Sequence, residues 1–137
     1  MPESIRRVDY FYATVHDRPG EAYRLLCHIA RFEVNLLAFD AIPTGPDHTQ
    51  VVLFPESTEQ LLAAAERAGI SLSEPQHALL VQGSDRFGAL VDVHRKLTDA
   101  NVNVYASHGV VGGNGGYGYV IYVRPAEFEV AAAALGV

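Results

Sequence analysis

The residues best suited to chemistry in this chain sit in two short turns, Asp17-Arg18-Pro19-Gly20 and Asp85-Arg86-Phe87-Gly88. Each places a carboxylate and a guanidinium beside a glycine, where an apolar stretch gives way to helical periodicity. Free backbone N–H groups at a helix start form an anion site. An amino acid's carboxylate suits such a site, the aspartate can receive its ammonium, and the arginine can clamp a second acid. Pro19 fits a first helical turn, where its missing N–H is no loss. Gly20 lets the backbone come close to a ligand or to a packed strand. A structural role competes, because Asp17 can also cap the helix that follows.

Other reactive residues point elsewhere or nowhere. The histidines at 16, 28, 48, 77, 94 and 108 contain no pair at zinc-site spacing, and there is one cysteine, so no metal is expected. His16 and His108 fall near the two turns, at the end of a first strand and in a second. His94 stands where the first turn's helix has Leu26 and reads as half-buried. Cys27 has Arg24 and Arg31 within helical reach, which can lower its pKa, but no histidine–carboxylate relay accompanies it. The stretch GNGGYGYV, residues 113–120, matches Gly-rich nucleotide loops. A strand follows it where the dinucleotide motif needs a helix, and no lysine comes after it as a kinase loop requires. It reads as a hairpin tip. No hydrolase, metalloprotease or Walker pattern occurs, so neither catalytic residues nor a cofactor is expected.

Composition narrows the partners. With 49% apolar and 19% charged residues the chain is a folded protein and not a disordered one. A net charge of −6 and a single lysine, Lys96, exclude a basic nucleic-acid footprint. No apolar run approaches a membrane span, and the start has no apolar core of signal-peptide length. The lone Cys27 rules out an intramolecular disulfide. A cytoplasmic location, with no membrane partner, is the expectation.

The turns belong to an internal repeat. Aligning each residue with the one 68 further on, over 17–54, gives eight identities in 38 positions. They are Asp17/Asp85, Arg18/Arg86, Gly20/Gly88, Val34/Val102, Asn35/Asn103, Ala38/Ala106, Gly45/Gly113 and Val52/Val120. Chance would give roughly two or three. The identities fall at a turn, a strand entry and a hairpin tip.

Both copies spell the same elements. Val8 to Val15 predicts a strand. Ala22, Leu25, Leu26 and Ile29 then form one apolar helical face. Val34 to Ile42 and Gln50 to Phe54 are strands about a turn. Ser57 and Gln60 have capping-box spacing before a helix that Gly69 ends, and Ile70 to Leu72 supplies a short fourth strand. In the second copy Ala78 to Gln82 is a strand, and Leu90, Val93 and Leu97 share a helical face. Val102 to Val111 and Tyr117 to Val123 are strands, and Pro125 opens a last helix. The order is βαββαβ twice, an α+β fold of two ferredoxin-like units over residues 1–74 and 75–137. Their antiparallel sheets stand side by side, each with its helices on one face. The second unit has a truncated last strand, for another segment, such as a partner's strand or helix, to complete.

DRPGEAYRLLCHIARFEVNLLAF and SDRFGALVDVHRKLTDANVNVYA resemble the ACT domain, whose pattern is a D-x-P-G turn after a strand, an apolar-faced helix, and V/I-N entering the second strand. The resemblance covers nearly the whole chain as a tandem pair. It implies a regulatory module that pairs through second strands and binds an amino acid or similar small carboxylate between units. The implied binding residues are Asp17, Arg18, Pro19, Gly20 and Asn35, with Asp85, Arg86, Phe87, Gly88 and Asn103 in the second copy. Phe87 departs from the pattern by replacing the proline.

The leading expectation is a non-catalytic sensor, a homodimer that relays through an unidentified protein partner. A dimerisation module with decayed sites is the first alternative. The second is a small cofactor-free barrel enzyme using His16, His108 and Tyr119. An enzyme needs a buried acid–base pair within hydrogen-bond reach.

Overall fold

Period-two alternation builds two separate cores, with alternate side chains of the buried strands facing the helices. The computed structural model describes residues 3–137. Among them the elements run β1 (Ser4–His16), α1 (Glu21–Arg31), β2 (Leu36–Pro43), β3 (His48–Pro55), α2 (Thr58–Ala68), β4 (Gln76–Ser84), α3 (Val91–Asp99), β5 (Ala106–Val111), β6 (Gly116–Tyr122) and α4 (Phe128–Ala134). A single 3₁₀ turn, Pro125–Glu127, precedes α4, opened by the proline as expected. The pairings of β1 with β3, β2 with β3, β4 with β6 and β5 with β6 are antiparallel. The fold is α+β, built of ferredoxin-like units.

One compact unit spans Asp9–Gln76. Its sheet has β3 between β2 and β1, with Phe11 opposite Leu53 and His16 opposite His48. Phe11, Ala13, Val51 and Leu53 from the strands meet Leu25 and Ile29 of α1 and Leu61 and Ala64 of α2. Ser57 caps α2 by accepting a hydrogen bond from the Gln60 N–H, and Gly69 closes it in the left-handed conformation. Residues 70–75 do not form the expected fourth strand. Ser73 instead donates its N–H to the Tyr12 carbonyl and receives the Tyr12 N–H on its Oγ, each at 2.9 Å. A side chain thus replaces a ladder bond, and Pro75 has no N–H to extend one. Ile70 and Leu72 still pack on the core.

The other unit takes in residues 77–137 together with residues 3–8. Here β6 lies between β4 and β5, and Leu79, Val81, Tyr119 and Ile121 face Val93 and Leu97 of α3, Phe128 and Ala131 of α4, and Leu135 at its C-cap. Residues 3–8 of the same chain join this unit. Ile5 packs on this core, and Arg7 binds Glu129 at 3.0 Å and lies over the Phe128 ring. The strand expected from Val102 begins only at Ala106. Asn101 has φ of 60°, and Val102 turns inward to donate to the Leu97 carbonyl.

The repeat is visible in the backbone as well as in the letters. Glu33, the counterpart of Asn101, has the same φ of 60°. Val34 donates to Ile29 as Val102 does to Leu97, and Asp17 donates to Asp47 as Asp85 does to Gly115. Every partner in these pairs is offset by the same 68 positions.

Candidate functional site

Both turns form as glycine-dependent strand-to-helix connections, and their side chains then diverge. Gly20 and Gly88 have φ of 88° and 71°, a region that disfavours any residue with a Cβ. Gly20 itself takes the N-cap position of α1, and no side chain caps that helix. Asp17 therefore does not cap it. Its N–H instead ties the turn to the β2–β3 hairpin through the Asp47 carbonyl at 2.8 Å.

The first turn is already neutralised from within. Glu21, on the first residue of α1, receives the Arg18 guanidinium at 2.9 Å and also pairs with Arg24. The hydrogen bond from Arg18, followed by that from Arg24, holds its carboxyl below the usual carboxylate range. The second acid that Arg18 was expected to clamp is therefore the protein's own. Asn35 is also engaged, donating its side-chain N–H to Glu56 Oε2 at 2.6 Å while the Glu56 N–H donates to its carbonyl.

The second turn is open. Asp85, Arg86 and Gly88 line a cleft of about 460 Å³ with the start of α3, residues 109–111 of β5, and Tyr117 and Gly118 of β6. That volume lies within the range of small-ligand sites. Its apolar wall is Ala89, Leu90, Val91, Val110 and Val111. Arg86 forms no salt bridge among the described residues. The Tyr117 hydroxyl donates to Glu3 Oε2 at 2.8 Å, and burial, then this bond, push its pKa up to about 12. Its ring lies over Gly83, where an added Cβ would come within 3.1 Å of it.

Not every expected residue joins this site. Phe87 points fully into solvent, and Asn103 is exposed away from the cleft lining. Sequence reasoning missed the start of the following helix, Ala89 to Val91, and also residues 109–111, Tyr117 and Gly118, which arrive from strands well after the turn. The three suspects for catalysis each have neighbours within their own unit. His16 stacks on His48 across β1 and β3, His108 stands opposite Val120, and Tyr119 bonds His94 Nε2 at 2.7 Å outside the cleft. Arg24, expected beside Cys27, is taken by Glu21, and the neighbouring Cys27 raises the pKa of the Tyr23 phenol. No cluster of three metal-ligating side chains occurs among the described residues, and no helix there is long and apolar enough to cross a membrane.

Similarity to solved structures is extensive at low identity. A protein of Bacteroides thetaiotaomicron superposes with a TM-score of 0.79 at 13% identity, over 96% of this chain and 88% of that one. The ligand-free regulatory subunit of aspartate kinase from Thermus thermophilus gives 0.63 at 16% identity, over 97% and 93%. This chain shares that subunit's fold. The corresponding subunit from Thermus flavus gives 0.60 at 15% identity, over 98% and 95%. No family model matches the sequence, and no curated protein does. The chain is thus similar in fold, nearly end to end, to regulatory subunits of aspartate kinase.

Proposed function

We propose that this protein is a non-catalytic regulatory module that binds an amino acid or similar small carboxylate at its D-R-x-G turns. The observation that carries this reading is the cleft at Asp85–Val91, where a cation without a salt-bridge partner among the described residues faces an apolar wall. Asp85 and Arg86 supply charge partners there. The likeness to aspartate kinase regulatory subunits supports a regulatory role by analogy of fold. Binding shifts the balance between arrangements of the module, and a protein partner reads that shift.

The exposed strand β5 favours a homodimer. It is solvent-exposed along its whole length and displays Val110 and Val111, which are 66% and 60% exposed. Edge strands of this kind pair readily with another chain. A second copy docking there closes the open side of the cleft. A dimerisation module without a ligand is the rival reading, favoured by the same strand.

Thermal unfolding against the proteinogenic amino acids tests the proposal. A ligand at about 100 times its Kd adds about 2.7 kcal/mol, which is several degrees in a domain of this size. A shift with one amino acid that is absent in Gly88→Val supports the module. No shift with any of them leaves the dimerisation module.

A further inference from the structure

Glu21 and Ala89 occupy equivalent positions in the two copies, 68 residues apart. Glu21 fills the first turn with a carboxylate, bonded to Arg18 at 2.9 Å and only 15% exposed at its side chain. Ala89 brings a methyl group to the same place and leaves Arg86, the counterpart of Arg18, without an ion pair among the described residues. The second turn is therefore the first turn with its internal acid removed, and a cleft of about 460 Å³ stands in its place.

On the reading that the module binds a small carboxylate, we infer that only the second turn takes it, and that the ligand is an amino acid with an aliphatic or aromatic side chain. Its carboxylate does for Arg86 what Glu21 does for Arg18. The remainder of the ligand meets Leu90, Val91, Val110 and Val111, none of which offers a polar side chain. A charged or amide side chain would lose water against that wall without a partner. Asp85, at the cleft's polar end, receives the ammonium. The first turn, holding its own acid, takes none.

Isothermal titration with leucine and phenylalanine, and with leucinamide, aspartate and lysine as comparisons, tests this. One apolar amino acid is expected to bind once per chain, with leucinamide, aspartate and lysine at least about tenfold weaker. Ala89→Glu supplies the missing carboxylate and is expected to abolish binding while the unliganded protein keeps its melting temperature. Should that variant fail to fold, Arg86→Gln is expected to weaken binding by about tenfold or more. Two sites per chain, preference for a polar amino acid, or binding that is lost in Arg18→Gln and kept in Arg86→Gln overturns the inference and leaves the regulatory reading standing. Silence from every amino acid overturns both.

Discussion

The hydroxyl of Tyr117 and the carboxylate of Glu3, 114 residues apart in sequence, meet at 2.8 Å. The bond fastens the wall of the cleft to the start of β1. Because Tyr117 both lines the cleft and carries this bond, its phenol is an internal reporter of the site.

Its raised pKa sets a pH window. The protonated phenol is favoured in the folded state, so its contribution to stability is complete below the ordinary value of 10 and is lost as the pH rises towards about 12. In a spectrophotometric titration Tyr117 is expected to ionise late. Glu3→Gln brings its pKa down in part, because burial remains the larger cause, and Arg86→Gln moves it further up. An unchanged titration in both variants would dissociate Tyr117 from these neighbours.

The helix signals and strand cores were legible in the sequence because they depend on neighbours along the chain. Ser57 with Gln60 marked the start of α2, Gly69 its end, and Leu25 with Ile29 the buried stripe of α1. What stayed hidden depends on pairing at long range. Ser4 to Arg7 looks too polar for a strand, yet Ile5 and Arg7 dock there on partners distant in sequence. The turns themselves were found, but their difference was not. It lies in Glu21 against Ala89, one residue beyond the shared Asp-Arg-x-Gly motif.

Acid affects the first turn differently. Arg18, then Arg24, lowers the Glu21 pKa, so the ion pair stabilises the fold above the ordinary value of 4.5 and is lost as pH falls through the lowered one. Carboxyl NMR is expected to show a larger rise in that pKa for Arg18→Gln than for Arg24→Gln. High salt is expected to shrink the shift, since both arginines are exposed.

His94 and Tyr119 form a half-buried polar pair where the first copy has Leu26 and Val51. His94→Leu leaves the Tyr119 hydroxyl unpaired beside a core, at a cost of about 1–3 kcal/mol. His94→Leu with Tyr119→Phe is expected to recover part of that loss, giving a coupling of about 0.5–3 kcal/mol in a denaturant double-mutant cycle. Additive losses would mean that the bond adds nothing to the packing.

Each core can be probed alone. Leu53 and Leu79 are fully buried in the first and second cores, and replacing either by alanine is expected to cost about 2–5 kcal/mol. Ser57→Ala removes only a cap and is expected to cost about 1 kcal/mol. Chemical denaturation ranks the three, and a Ser57→Ala loss equal to that of Leu53→Ala would contradict the packing described here.

An amide NMR titration with leucine shows which turn is the binding site. Shifts concentrated at residues 85–91, 109–111 and 117–118, with residues 17–21 unmoved, are the predicted result. Shifts centred on the first turn, or none at saturating leucine and phenylalanine, would contradict it.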